Sequence, residues 1–204
     1  MYSKLSRIIE GLDIHEISHD RQTILQALID LLQENRGQEL NLNFVCTHNS
    51  RRSHLAQIWC KVMSNYFDWN GTLNTFSSGT EATAMFPMIV ETLIDQGYNI
   101  EKQSELLNPI YHVKHDESQD PQVCFSKAYT DDSIPTNNLS AIMVCSDADS
   151  NCPIIPNVIK RIPITYEDPK ISDNTDQQKA CYSERSLQIA REMKYVFSHL
   201  SNKM

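Results

Sequence analysis

The chain has 204 residues, of which 40% are hydrophobic and 22% are charged, and its formal net charge at pH 7 is −8. This composition is typical of a globular protein that builds its own core, so neither disulfides nor a structural metal are needed for folding. The acidic balance argues against nucleic-acid binding, which depends on a basic surface. No apolar run approaches the roughly 20 residues of a membrane helix and the first residues form no apolar signal core, so we expect a cytoplasmic protein.

Residues 1–37 are predicted to be helical, because Ser18 is a typical helix start and an amphipathic stripe follows it as far as Gly37. We interpret this segment as an N-terminal helical extension and residues 38–204 as a catalytic domain. The amphipathic helix is expected to pack either on the domain or on a second copy of the chain, which would make a homodimer.

Strands alternate with helices through the rest of the chain. Residues 168–179 are polar and are expected to be irregular. The predicted strands are 40–45, 72–77, 139–145 and 162–166, and the predicted helices are 53–66, 87–96 and 181–200. Residues 111–113 and 122–125 are predicted to form a hairpin. This order predicts an α/β fold, a three-layer sandwich around a mainly parallel four-stranded sheet.

The segment from Cys46 to Ser53 connects a predicted strand to a predicted helix and reads Cys-Thr-His-Asn-Ser-Arg-Arg-Ser. A tight loop in this position can turn its backbone N–H groups inward as a nest for an anion, and the helix adds its N-terminal donors. Such surroundings favour the thiolate form of Cys46. Arg52 offers two parallel donors to a tetrahedral anion. The loop therefore predicts attack by Cys46 on a bound oxyanion.

This loop resembles the signature of the low-molecular-weight protein tyrosine phosphatases and of the thioredoxin-coupled arsenate reductases that share their fold. The shared pattern is Cys-x5-Arg-Ser with Asn at the fourth position. The resemblance implies that Cys46 is the nucleophile and that Arg52 clamps the oxyanion. It also implies that Asn49 holds a left-handed kink and that Ser53 hydrogen-bonds the thiolate. The residues expected to bind the substrate are Thr47, His48, Asn49, Ser50, Arg51 and Ser53.

Three positions depart from the pattern of these enzymes. His48 stands where many members carry Gly, and it could crowd the loop or contact the substrate. Arg51 stands where the reductases often have Cys, and its second positive charge would help anions to bind. Gln57 replaces an acid that supports a potassium ion in some reductases, so no metal is predicted.

Two further segments extend the resemblance to about residues 40–200. Ser77-Ser78-Gly79-Thr80 is similar to the Ser-Ala-Gly segment of the family, which follows the second strand. Asp168-Pro169 is similar to the family's Asp-Pro, whose Asp is the general acid. The resemblance thus implies that Asp168 protonates the leaving oxygen. Glu167 is the competing acid.

Two later cysteines distinguish the two activities within this family. Cys145 ends a predicted strand, and Cys152 follows it in a polar segment before Pro153. This stretch resembles the one that carries the second and third redox cysteines of the reductases. The resemblance implies that Cys145 attacks Cys46 after arsenate has reacted, and that a Cys145–Cys152 disulfide is then reduced by thioredoxin.

The main prediction is therefore a thiol-dependent arsenate reductase, with thioredoxin as reductant and no tightly bound cofactor. The alternative is a low-molecular-weight protein tyrosine phosphatase, which acts on phosphotyrosine through a phosphocysteine and needs neither later cysteine. A catalytically silent anion-binding protein is a third interpretation. Plainer roles exist for single residues, since Cys145 could fill the core and Asp168 could start a turn. The remaining cysteines are interpreted as structural, and these are Cys60, Cys124 and Cys181.

Overall fold

The computed structural model describes residues 1–151, 155 and 157–200. The α-helices are α1 (Ser3–Gly11), α2 (His19–Glu34), α3 (Arg52–Tyr66), α4 (Pro87–Asp95), α5 (Ser146–Asn151) and α6 (Gln178–Ser198). The strands are β1 (Glu39–Cys46), β2 (Thr72–Gly79), β3 (Asn99–Lys102), β4 (Tyr111–Lys114), β5 (Gln122–Cys124), β6 (Leu139–Met143) and β7 (Val158–Pro163). Short 3₁₀ turns cover Ile14–Glu16 and Pro169–Ser172.

A four-stranded sheet in the order β2-β1-β6-β7 forms the centre of the protein, and all its pairs are parallel. Every residue of β1 except Glu39 is buried, as expected for a central strand that is covered on both faces. Helices flank this sheet, so the predicted α/β class with a parallel four-stranded sheet is confirmed. In such a sheet the carboxyl ends of the strands meet at one edge, and Cys46 lies at that edge.

The N-terminal helices share the hydrophobic core of the sheet. Leu5 and Ile9 of α1 and Leu28 of α2 are fully buried in the same cluster as the β1 side chains. Ser18 caps α2, since its Oγ accepts a hydrogen bond from Arg21 N at 3.3 Å. The buried side of these helices is thus covered within one chain. The division of the chain at residue 37 and a homodimer through this helix stay predictions.

A lysine of α6 closes the end of α1. Lys194 Nζ donates to the carbonyl oxygens of Ile9 at 2.8 Å, Glu10 at 3.3 Å and Leu12 at 2.7 Å. The last carbonyl groups of a helix have no partner within the helix, and a cation satisfies both them and the negative end of the helix dipole. This contact ties the N-terminal segment to the C-terminal helix.

A separate three-stranded antiparallel sheet has the order β3-β4-β5. The predicted hairpin of β4 and β5 is confirmed, with Tyr111 paired to Cys124. The strand β3 was not predicted, because only one of its four residues, Ile100, is even partly buried, so no apolar alternation marks it. The N-terminus docks on this sheet, where Tyr2 N donates to the His115 carbonyl oxygen at 2.9 Å.

Two predictions near the sheet edge are wrong. The last strand was expected at 162–166 but is Val158–Pro163, because the first four residues of this edge strand are only partly buried or exposed and carry little apolar pattern. Ile164 N and Tyr166 N still donate to the carbonyl groups of Met143 and Val144, so backbone pairing continues beyond the strand. Helix α5 lies where a polar loop was expected; Asp147 and Asp149 in its first turn favour a helix start.

None of the helices within the described residues combines the length and the apolar character that a membrane-spanning helix requires.

Candidate active site

The loop after Cys46 lies at the carboxyl end of β1 and leads into α3, whose first residue is Arg52. The segment that follows β2 braces this loop. The Cys46 carbonyl oxygen accepts a hydrogen bond from Thr80 N at 3.2 Å, and the Thr47 carbonyl oxygen accepts one from Glu81 N at 2.9 Å. The hydroxyl of Thr80 also donates to the Thr47 carbonyl oxygen, at 3.0 Å, so main-chain and side-chain donors together fix the loop backbone on its β2 side.

Gly79 is the point of closest approach between β2 and the loop. It pairs with Cys46 in the parallel register. A Cβ atom at this position would lie 2.6 Å from both Asn49 N and Thr47 O, and 2.5 Å from Glu81 O. All three are backbone atoms, which cannot yield as a flexible side chain does. Glycine is therefore required for the loop to lie against β2.

Asn49 and Ser53 organise the loop beneath the thiol. Asn49 has a φ of 43°, in the left-handed region that asparagine tolerates better than most residues. Its Nδ2 donates to Ser53 Oγ at 2.8 Å, and its Oδ1 accepts from Lys127 N at 2.8 Å. Ser53 Oγ lies 3.1 Å from Cys46 Sγ. Because the Ser53 oxygen already accepts from Asn49, its own proton is available to the sulfur and stabilises a thiolate there.

A buried histidine supports the kink from below. His54 is fully buried, with Nε2 at 2.9 Å from the Asn49 carbonyl oxygen and Nδ1 at 3.1 Å from Ser77 Oγ. Burial, together with the charge of Lys127, lowers the pKa of His54 to about 3. The ring is therefore neutral at physiological pH, so Nε2–H donates to Asn49 and Nδ1 accepts from the Ser77 hydroxyl.

Arg52 points into the mouth of the loop and is held there by two groups. One Nη donates to the Tyr166 carbonyl oxygen at 2.9 Å, and the other pairs with the Asp168 carboxylate. Arg52 Nε is buried and has no hydrogen-bond partner among the described residues. An unpaired buried donor is costly, so this atom is suited to an incoming anion. The second oxygen of Asp168 accepts from Lys170 N at 3.0 Å.

Arg51 is directed toward α6. Its Nε donates to Tyr182 Oη at 2.6 Å and one Nη pairs with Asp173 at 2.7 Å. Its guanidinium also lies 4.1 Å from the ring centre of Phe86. These donors are therefore committed to protein groups, although the residue does border the cleft.

The structure brings most of the predicted site residues to one cleft. His48 is half exposed there, 3.8 Å from the Glu81 carboxylate. Asn49 and Ser53 lie beneath the cleft as buried supports. The residues that line it are Cys46, Thr47, His48, Ser50, Arg51, Arg52 and Asp168.

Cys145 lies beside this loop, two residues beyond the end of the neighbouring strand β6. Val45 pairs with Met143, and Val144 N donates to the Val45 carbonyl oxygen at 2.9 Å. Just beyond these paired residues, Cys145 Sγ lies 3.5 Å from Thr47 Oγ1. The same sulfur accepts a hydrogen bond from Ala148 N of α5 at 3.3 Å. A second thiol therefore borders the loop that begins with Cys46.

No family model matches the chain. It is 28% identical to an arsenate reductase of Staphylococcus aureus over 127 residues, which make up 62% of this chain and 76% of that protein. It is 27% identical to an arsenate reductase of Bacillus licheniformis over 143 residues, or 70% of this chain and 83% of that protein. A solved arsenate reductase in the phosphate-binding state superposes with a TM-score of 0.50 at 15% identity, over 79% of this chain and 99% of that one. The chain is thus similar in sequence to arsenate reductases and shares its fold with a solved arsenate reductase.

Cys60, Cys124 and Cys181 do not line the cleft. Burial raises the pKa of the Cys60 and Cys124 thiols to about 12 in each case, which keeps them protonated and unreactive. Cys181 is partly exposed on α6. Cys152, which was predicted as the third redox cysteine, lies outside the described residues. Within the described part of the chain, no group of three or more metal-binding side chains is present.

Several residues that hold the loop in place could not be predicted from the sequence, although the loop itself could. Lys127 reaches Asn49 from the segment after β5, and Asp173 and Tyr182 reach Arg51 from the far end of the chain. No spacing links these residues to the signature, so sequence periodicity carries no trace of them. His54 adjoins Ser53, and its place on the buried face of a helix was the available signal.

Proposed function

We propose that this protein is a thiol-dependent arsenate reductase in which Cys46 attacks arsenate held in the loop from Cys46 to Arg52. The relatives in Staphylococcus aureus and Bacillus licheniformis are named arsenate reductases. The observation that carries the proposal is the position of Cys145, whose Sγ lies 3.5 Å from Thr47 Oγ1. A second thiol beside the nucleophile has a role in reduction, whereas hydrolysis of a phosphate ester needs none.

The backbone register supports a disulfide between Cys46 and Cys145. Neighbouring strands lie about 4.8 Å apart, and successive residues of a strand are about 3.3 Å apart. The pairing of Val45 with Met143 sets the two cysteines one strand and one residue apart. By this spacing their Cα atoms would be roughly 6 Å apart, within the range of about 4.4 to 6.8 Å that a disulfide allows. Side chains one residue out of register point to opposite faces of a strand, so the disulfide forms only as the chain beyond β6 shifts.

In the first step the Cys46 thiolate attacks the arsenic atom of arsenate. An As–S bond forms and one As–O bond breaks, with the oxygen leaving as water after it takes a proton from Asp168. Arg52 Nε, which is buried without a partner, donates to the anion. The anion also competes with the Asp168 carboxylate for Arg52, and the displaced carboxyl group passes a proton that it has taken from water to the leaving oxygen.

In the second step the Cys145 thiolate attacks Cys46 Sγ. The Cys46–Cys145 disulfide forms as the As–S bond breaks, and the electron pair of that bond stays on arsenic. As(V) thereby becomes As(III), which leaves as arsenite, and the two thiols are oxidised. Cys152 then attacks Cys145, frees the Cys46 thiolate and leaves a Cys145–Cys152 disulfide.

Thioredoxin is the proposed reductant of this last disulfide and supplies the two electrons of each turnover. Cys145 is fully buried, so a thioredoxin dithiol reaches the pair only if the chain around α5 moves. An isolated helix of six residues has little stability of its own, which makes such local opening inexpensive. We also propose a cytoplasmic location, because thiols are kept reduced there.

The test is arsenate-dependent oxidation of NADPH by the purified protein with thioredoxin and thioredoxin reductase. Turnover should be lost in Cys46→Ser, Cys145→Ser and Cys152→Ser. Cys181→Ser is the matched control and should keep wild-type turnover, because Cys181 lies on α6 away from the cleft. Undiminished turnover in Cys145→Ser would refute the relay.

The second candidate is a low-molecular-weight protein tyrosine phosphatase. It is favoured by the pairing of Arg52 with Asp168, which sets a carboxyl group beside the nucleophile where a leaving oxygen needs a proton. In this reaction Cys46 attacks phosphorus and water later hydrolyses the phosphocysteine. Cys46-dependent hydrolysis of an aryl phosphate without arsenate turnover would favour this candidate.

A further inference from the structure

Two adjacent arginines of the loop are each paired with an aspartate from one short segment. Arg52 pairs with Asp168, and Arg51 pairs with Asp173 at 2.7 Å. The 3₁₀ turn Pro169–Ser172 separates the two aspartates. The segment therefore crosses the mouth of the loop with an ion pair at each end.

The second ion pair belongs to a buried cluster. Tyr182 Oη donates to Asp173 Oδ1 at 2.5 Å and accepts from Arg51 Nε at 2.6 Å. The ring of Tyr182 stacks on Phe86 with 5.7 Å between centroids, and Phe86 also lies under the Arg51 guanidinium. Side chains of both Arg51 and Asp173 are more than four-fifths buried, which protects this ion pair from solvent screening.

We propose that Arg51, Asp173 and Tyr182 form a latch that positions Asp168 for proton transfer to the leaving group. The three are positioning residues, because none of them has to touch the substrate. This inference rests on the proposed roles of Cys46 and Asp168.

The two ends of the segment respond differently when an oxyanion binds. The anion competes with Asp168 for Arg52, so that ion pair opens. The Arg51 donors bind Tyr182 and Asp173 although the residue borders the cleft, so the latch stays closed. The turn is stiff, since Asp168 Oδ1 accepts from Lys170 N and Asp173 N donates to the Lys170 carbonyl oxygen, both at 3.0 Å. A closed latch therefore keeps the displaced Asp168 carboxyl near the mouth.

The latch also accounts for an arginine at position 51. A neutral side chain there could not hold the Asp173 carboxylate, and Asp168 would then be fixed only by the ion pair that the anion breaks. The latch should thus matter for the step in which a P–O or As–O bond breaks and the leaving oxygen takes the Asp168 proton. It should matter little for the binding of the anion.

The test uses aryl phosphates with leaving groups of different basicity and the variants Asp173→Asn and Tyr182→Phe. The quantity measured is kcat/KM, which reports the steps through P–O cleavage. For phenyl phosphate, whose leaving group needs a proton, Asp173→Asn should lose about 10- to 100-fold, the scale of a misplaced general acid. For 4-nitrophenyl phosphate the loss should stay within about three-fold, since nitrophenolate leaves without full protonation. Tyr182→Phe keeps the ion pair and should show a smaller loss with the same selectivity.

The dissociation constant of inorganic phosphate is measured in parallel, from the protection of Cys46 against alkylation. It should be unchanged or lower in Asp173→Asn, because a loosened Asp168 competes less well for Arg52. Asp176→Asn is the matched control in the same segment; its exposed carboxylate has no partner among the described residues, and both substrates should be hydrolysed at wild-type rates.

Equal losses on the two substrates, or weaker phosphate binding, would show that the latch only holds the fold and would overturn the inference. So would wild-type rates in Asp173→Asn. The proposed function and the latch are refuted by different outcomes. If arsenate turnover is absent but the leaving-group selectivity appears, the reductase proposal falls and the latch stands. If the wild-type protein reduces arsenate in a Cys46-dependent way but hydrolyses no aryl phosphate, the proposed function stands and the latch falls.

Discussion

Replacement of Gly79 by alanine should impair the anion loop far more than the fold. The new Cβ atom would meet Asn49 N and Thr47 O at 2.6 Å. Ordinary contact needs about 3.4 Å, so the loop and β2 would separate by roughly 0.8 Å. A displacement of about 1 Å between reacting groups costs on the order of 100-fold in rate, whereas overpacking by one methyl group costs about 1 to 3 kcal/mol of stability.

The assay for Gly79→Ala is Cys46-dependent hydrolysis of 4-nitrophenyl phosphate, followed as kcat/KM, together with thermal unfolding. We expect a loss of about 100-fold in kcat/KM in a protein that is still folded. Gly11→Ala is the matched control, because nothing lies within 4 Å of a Cβ atom at that position. It should keep full activity and gain up to about 1 kcal/mol of stability through the unfolded state. Wild-type kcat/KM in Gly79→Ala would refute the argument that backbone contact with β2 shapes the loop.

Two further predictions concern stability. The folded-state pKa of His54 is about 3, below its ordinary value of 6.5, so between these values the unfolded chain binds a proton that the native protein does not. His54 should therefore make the free energy of unfolding fall by about 1.4 kcal/mol per pH unit as the pH drops from 6.5 toward 3. In urea unfolding, His54→Gln should show a smaller decrease of this free energy with falling pH, and His15→Gln is the control. The same decrease in His54→Gln as in the wild-type protein would contradict the prediction. Lys194→Met should lower the free energy of unfolding by about 1.5 to 3 kcal/mol and leave activity unchanged, since three carbonyl groups at the end of α1 lose their charged donor. Lys4→Met, at an exposed position, is the control. Equal unfolding free energies in the two variants would contradict the capping role of Lys194.

The sequence indicates the central sheet and the loop because both depend on local patterns. Strand β1 is almost wholly buried and α3 carries a helical stripe, so hydrophobic periodicity predicts each of them. A cysteine at a strand end, followed by an arginine at a helix start, predicts an anion site from the geometry of backbone donors. Where burial is slight the pattern fades, as in β3 and the first residues of β7, and the prediction fails with it.

The contacts that shape the site depend on residues distant in the chain. Arg51 meets Asp173 and Tyr182 across 122 and 131 positions, and no local pattern records such a meeting. From the sequence, Arg51 could be interpreted only as an added positive charge. In the structure its donors bind Tyr182 of α6 and Asp173. By itself the sequence determined the α/β class, the loop from Cys46 to Arg52 and the residues that compose it. Only the tertiary structure decided which of those residues face the cleft and which are buried supports. It also decided that Cys145 lies against the loop. The physical reason is that packing and long-range hydrogen bonds set the direction of each side chain.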